Sequence, residues 1–323
     1  MPSKIRTRSN RGNGSLLLAV LTLLSMASNG PAAAQETSNV NTKGRGKSAL
    51  PNVLNSTPLS TQTAWPPPDV DQSVPEVLPD AQCSLSDVLS KAGGRVQELT
   101  RNVDRFTATE IVQHQRVDRA GRLRPPEIRS FDYIVSMASK PSGSINVEEY
   151  RKSRGSLDQF PDGIATVGTP SLVLIFHPHY VKGFRMICEG LGQWQGRPAW
   201  QVRFEESRNN SSMITLEIGS RVFSLRLRGR AWILADSYQV ARLETDLADQ
   251  IPQIRLRLQH QNVEYRPVPL PQSKRELWLP SRTELYMDFL GRRFYRQHNF
   301  TDVQFFSVKV QQTIADPNDL AEQ

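Results

Sequence analysis

The stretch LWLPSRTELYMDFLGRRFYRQHNFTDVQFFSV, Leu277 to Val308, decides how this chain is read. Bulky apolar and charged residues alternate along most of it, the period of a half-buried strand. Leu290-Gly291 interrupts the alternation where a two-residue hairpin turn would fit. Such a turn sets Asp288 opposite Arg293 and Tyr286 opposite Tyr295, and pairs of this kind stabilise an antiparallel ladder by about 0.2–1 kcal/mol each. The other face then carries Leu285, Met287, Phe289 and Phe294, with Arg292 and Arg296 at its rim. One strongly apolar face has to be covered by something.

The same period runs backwards from this hairpin. Strands are expected at Phe106–Val117, Ile128–Met137, Ile145–Arg151, Phe184–Glu189, Ala199–Glu205, Arg221–Arg228, Arg230–Leu234, Gln239–Asp246, Ile254–Tyr265 and Thr283–Phe289, then at Arg292–His298 and Val303–Val310. A turn at Gly229-Arg230 would put Phe223, Leu225 and Leu227 on one face with Trp232 and Leu234. Before the strands, Leu85, Val88, Leu89, Ala92, Val96, Leu99 and Val103 recur at helical spacing behind a capping pair, Ser84 and Asp87. Gly93-Gly94 fall off that stripe, where they either kink the helix or admit a close neighbour. A second helical piece is expected from Thr169-Pro170 to the residue before His177-Pro178. A helix followed by a meander of ten or more strands implies an α+β fold, a strongly curved, mostly antiparallel sheet forming an unclosed barrel on an N-terminal amphipathic helix.

The ends of the chain speak for export. A basic segment (Lys4, Arg6, Arg8, Arg11) precedes an apolar run from Leu16 to Ala27, and Ala32-Ala33-Ala34 offers a cleavage site. Twelve apolar residues fall short of the roughly 20 that span a bilayer as a helix, so membrane association after cleavage is at most peripheral. The expected divisions are a signal peptide over 1–34, a disordered Pro/Ser/Thr-rich linker over 35–80, a folded domain over 81–312 and a flexible tail over 313–323. The formal charge of +8 overstates the mature chain: without the four basic residues of the signal, 36 Lys and Arg face 32 Asp and Glu. Interspersed charge on an exported chain argues against nucleic acid. Cys83 and Cys188 either pair in an oxidising compartment or stay as buried thiols, and the sequence leaves both open.

No catalytic signature appears: H-E-x-x-H and G-x-S-x-G are both missing. His177 and His179 flank Pro178 with no further ligand at metal spacing, which reads as a helix-end turn rather than a metal site. No cofactor is expected. Trp194, Trp200, Trp232 and Trp278 lie in or beside strands and read as core fillers.

An exported chain with an amphipathic helix before a long antiparallel meander resembles the lipoprotein-carrier superfamily of the bacterial envelope, which includes the outer-membrane lipoprotein-sorting proteins. The residues that carry the resemblance are GRAWILADSYQVARLETDL (Gly229 to Leu247), NVEYRPVPL, and the ribbon quoted first. It spans about Ser84 to Val310 and is one of architecture and loose motif. It implies a half-barrel whose concavity accepts acyl chains, in a periplasmic or secreted, non-enzymatic protein. On that basis the apolar ligand, a lipid or a lipoprotein acyl chain, would meet Phe223, Leu225, Leu227, Trp232, Leu234, Met287, Phe289 and Phe294, with Arg292 and Arg296 favouring an anionic headgroup. The chain departs from the family in its Pro-rich leader, an insertion near Ser207–Ser220 and a short lid region around 152–183. The alternatives are an envelope protein-interaction or stress-sensing module with a filled core, and an exported hydrolase, which would require a His with an Asp or Glu gathered in one cleft.

Overall fold

The computed structural model describes residues 64–72, 74–78, 81–155, 160–208, 212–218, 221–270 and 275–306. The expected signal segment, most of the expected linker and the expected tail lie outside these residues.

Helix α1 (Leu85–Asn102) comes first, and its expected stripe is its buried face: Val88, Ala92, Val96 and Leu99. Ser84 is the N-cap residue, but its hydroxyl meets Ser86 rather than capping the helix, so the capping box is not formed. Gly93 belongs to the buried face after all. A Cβ there would stand 3.0 Å from the Phe176 carbonyl oxygen, so this glycine admits a close neighbour rather than kinking the helix.

Twelve strands follow among the described residues: β1 (Arg105–Arg116), β2 (Glu127–Ser139), β3 (Ile145–Ser153), β4 (Phe184–Trp194), β5 (Arg197–Glu206), β6 (Thr215–Ile218), β7 (Arg221–Ser224), β8 (Leu227–Leu234), β9 (Val240–Leu247), β10 (Leu256–Pro269), β11 (Glu276–Phe289) and β12 (Arg292–Phe306). Ten of them form one antiparallel sheet in the order β3-β2-β1-β12-β11-β10-β9-β8-β5-β4, while β6 and β7 form a separate hairpin inserted between β5 and β8. β3 and β4 remain as edges, so the sheet is an unclosed barrel, as the alternation implies. The ribbon pairs in the expected register, Tyr286 with Tyr295 and Asp288 with Arg293. Leu290 and Gly291 take φ of 55° and 76°, the left-handed pair that a two-residue turn of this hand demands.

One expected turn is wrong. Gly229 and Arg230 lie inside β8, paired with Phe204 and Arg203 of β5. The glycine is there because the Phe204 ring crosses it: a Cβ would meet that ring at 2.5 Å and the Glu244 carbonyl oxygen at 2.2 Å. Running straight through, β8 sends Leu227, Ala231 and Ile233 into the main core, while Trp232 and Leu234 join Ala199 and Ala241 in a small cluster on the convex face.

The concave face is largely filled. The second helical piece forms as a 3₁₀ helix, Thr169–Phe176, all eight of its residues buried, lying between α1 and the sheet. Cys83 and Cys188 are joined in a disulfide with Cα atoms 6.3 Å apart, which ties the approach to α1 to edge strand β4. The Pro-rich end of the stretch expected to be a linker is docked instead. Residues 64–72 and 74–78 cross the convex face: Val70 is 1% exposed, its N–H donates to Asp246 Oδ2 at 2.9 Å, and its carbonyl accepts from Arg230 Nη1 at 2.6 Å. Asp69 and Asp71 bind Arg228, Asp71 also binds Arg203, and Leu78 bridges to Leu191 of β4. Composition suggested a chain too polar to order; paired carboxylates and arginines hold it, with a single buried valine.

Candidate ligand site

One end of the concavity is not filled. A cavity of about 90 Å³, open to solvent on one side, lies between the segment Gly163–Gly168, the β6–β7 hairpin and the sheet. Leu225, Leu227, Leu256, Leu285, Met287 and Phe289 give it an apolar floor. Leu172 and Ile214 close it from above together with the main chain of Gly163–Gly168, while Thr166, Thr215, Gln259 and Gln261 supply its polar side chains. Four of the expected ligand residues therefore converge here: Leu225, Leu227, Met287 and Phe289. Phe223 is half-buried against the core outside the lining, and Phe294 is fully buried beside the cavity region. Trp232 and Leu234 are on the opposite face of the sheet, displaced there by the continuity of β8.

The expected rim arginines part company. Arg292 is exposed and donates to the Asp162 carbonyl at 3.0 Å. Arg296 is fully buried. Its Nη1 donates to the Ile164 carbonyl at 2.7 Å and to Thr166 Oγ1 at 2.9 Å, and its Nη2 to the Pro161 carbonyl at 3.2 Å. Arg296 is thus a latch that holds the loop roofing the cavity, and it is not free to meet a headgroup. Burial pulls its pKa down to about 9, which leaves it cationic at neutral pH.

Behind that loop lies a buried polar network that motif reasoning missed. His298 Nδ1 stands 2.8 Å from Glu110 Oε1, and its Nε2 stands 3.0 Å from Thr166 Oγ1. Arg151 clamps Glu110 with bonds of 2.5 and 3.1 Å, while Glu149 accepts from Tyr133 at 2.7 Å and from the Gly168 N–H at 2.5 Å. His114 Nε2 meets Asp162 Oδ2 at 2.9 Å, and its Nδ1 takes a long bond from Arg296 Nε at 3.4 Å. Burial pushes the Glu110 carboxyl up, but Arg151 and His298 together hold it down to about 2. For His114, burial and then the Arg296 charge outweigh the pull of Asp162, lowering it to about 4. Burial lowers His298 and raises Glu149. Both histidines are consequently neutral near pH 7, each donating to a carboxylate with one nitrogen and accepting with the other.

Strand phase was the available signal. Glu110 and His114 are in step with Phe106, Ala108 and Val112, so β1 sends charge to its inner face. The partners, 188 residues apart for His298 and Glu110, meet only because β1 pairs with β12. On the convex face a third pair, His260 with Asp246 at 2.7 Å, lies beneath the docked leader. Histidine–carboxylate pairs are thus gathered as a hydrolase would require, but of the concave network only Thr166 and Gly168 also line the cavity. Among the described residues no group of three or more His, Cys, Asp or Glu is placed to hold a metal ion. His177 is buried and accepts the His179 N–H at 3.2 Å, the turn expected of that pair.

Fold and site together define a helix-backed, unclosed antiparallel half-barrel with a latched roof over a small apolar cavity. Among solved structures the chain is similar to a DUF1329 family protein from Desulfovibrio piger ATCC 29098, at 10% identity and a TM-score of 0.39, over 74% of this chain and all of that one. It is also similar to a LolA superfamily protein from Nitrosomonas europaea (8% identity, TM-score 0.33, 70% of this chain and 96% of that one). An outer-membrane lipoprotein-sorting protein domain from Vibrio parahaemolyticus matches at 10% identity and a TM-score of 0.36, over 72% and 96%. The second and third bear the names of the superfamily that the sequence resembles. No family model matches the sequence, and no curated protein matches it.

Proposed function

We propose that this protein is an exported, non-enzymatic binder of an apolar ligand, a lipid or the acyl part of a lipoprotein, held beneath the loop Phe160–Gly168. The observation that carries the reading is the cavity itself: an apolar floor left unfilled at one end of an otherwise packed concavity, under a roof fastened by polar contacts. Each buried methylene contributes about 0.8 kcal/mol, so an acyl segment gains affinity from the floor alone. A chain larger than the present cavity requires the loop to lift, against contacts from Arg296, His298 and Glu149 at Pro161–Gly168 and from His114, Arg116 and Arg292 at Asp162. Purified protein is expected to carry extractable lipid and to bind a fluorescent acyl probe saturably. Absence of both refutes the reading. Export is tested separately, by the mass of the mature chain, expected to begin at Gln35.

A second reading has one observation in its favour. Thr166, His298 and Glu110 are hydrogen-bonded in the order of a nucleophile, a base and its orienting carboxylate. Arg296 also donates to the Thr166 oxygen, which draws density from it, and burial weakens His298 as a base, so the relay suits a latch better than a nucleophile. Hydrolysis of a chromogenic acyl ester, abolished by His298→Gln, would establish the second reading over the first.

A further inference from the structure

Arg296 is committed to the roof, and among the described residues every side chain lining the cavity is uncharged, with no Asp, Glu, Lys, Arg or His. Its polar side chains differ in availability. Thr166 is taken by Arg296 and His298, and Gln261 donates to Thr169 Oγ1 at 3.0 Å. Gln259 and Thr215 are half-buried, and among the described residues no protein group bonds the side chain of either. Gln259 stands opposite Met287 on the ladder, on the inner face, so its amide is set among apolar side chains with donor and acceptor unused.

We infer that the cavity selects a neutral acyl ester or amide over a free fatty acid or an anionic headgroup, and that Gln259 is the specificity-determining residue. The inference rests on the apolar-ligand reading and adds the chemistry of the ligand's polar end. A carboxylate or phosphate drawn into this site finds no cation to replace its lost hydration, a heavy cost in an apolar setting. An ester or amide carbonyl needs only one donor, and an amide N–H only one acceptor; a primary amide side chain offers both.

The test uses displacement of the neutral dye Nile red from the full mature chain at pH 8, below micelle-forming concentrations. The competitors share one chain length: a fatty acid, its methyl ester and its primary amide. The ester and the amide are expected to displace dye at concentrations about a hundredfold below the ionised acid. Gln259→Leu is expected to weaken the amide about fivefold relative to Nile red bound to the same variant, the worth of one ordinary hydrogen bond, with the thermal midpoint unchanged. Equal or tighter binding of the acid overturns the inference while leaving the apolar-ligand reading intact, and so does an unchanged amide affinity relative to Nile red in Gln259→Leu. Failure of the dye and of all three competitors to bind overturns both.

Discussion

Acid should loosen the roof of the cavity, and His114 gives the clearest measure of it. This imidazole is 1% exposed, with Asp162 and Arg296 on its two nitrogens, Arg116 on the far side of Asp162 and Phe294 against its ring. Its pKa falls from 6.5 to about 4 on folding, because burial and Arg296 oppose a second positive charge more than Asp162 favours one. Between these values the unfolded chain binds a proton that the folded chain refuses. The stability held by neutral His114 is therefore complete above pH 6.5 and lost as pH falls towards 4, about 3 kcal/mol in all. Glu110 acts in the same direction but later: its stabilisation is complete above 4.5 and lost as pH falls through about 2. Urea unfolding followed by tryptophan fluorescence, at several pH values from 7.5 to 4.5, separates the two. In His114→Gln the slope of stability against pH should be shallower than in the wild type by up to about 1.4 kcal/mol per pH unit. Parallel curves for the two proteins across pH 6.5 to 4.5 would show that His114 does not resist protonation, and the account of the network would be wrong.

Replacing both Cys83 and Cys188 by serine should cost about 4–5 kcal/mol, since the bond closes a separation of 105 residues; denaturant midpoints under oxidising and reducing conditions measure it. Gly229→Ala should destabilise by roughly 3 kcal/mol or more, because the new methyl group meets the Phe204 ring and the Glu244 carbonyl; a thermal midpoint within a degree of wild type would contradict the close approach. Arg296→Met should speed amide exchange across Ile164–Gly168 by about a hundredfold or more through loss of the latch, with the exchange of α1 as the internal control.

The fold was legible where the local pattern and the global pairing agree. In the ribbon, period, turn residues and cross-strand pairs all specify one hairpin, and the structure forms it in that register. The helix stripe was readable for the same reason. Gly229 misled because glycine marks a turn and a close approach with the same letter, and only the Phe204 ring on the neighbouring strand distinguishes them. That single misplacement moved Trp232 and Leu234 to the wrong face. At the site, the apolar floor could be read from strand phase, but the roof could not. Arg296 looks like any strand-edge arginine until Pro161, Ile164 and Thr166 arrive from more than a hundred residues away to receive it. The end of the leader over 64–78 was misjudged because composition weighs apolar surface, whereas its docking depends on Asp69 and Asp71 finding Arg203 of β5 and Arg228 of β8.

The pairing of β1 with β12, three strands in from one edge, makes a seam in the sheet between the beginning and the end of the folded chain. Until Arg292–Phe306 is available, β3-β2-β1 and β11 through β4 are two partial sheets with bare edges facing each other. Glu110 and Arg151 then lack His298, and Asp162 lacks the order that Arg296 imposes on its loop. The latch of the roof therefore depends on the last strand being paired. A chain stopped short of β12 would have neither half of its cavity enclosed, however well each part had formed its own hairpins.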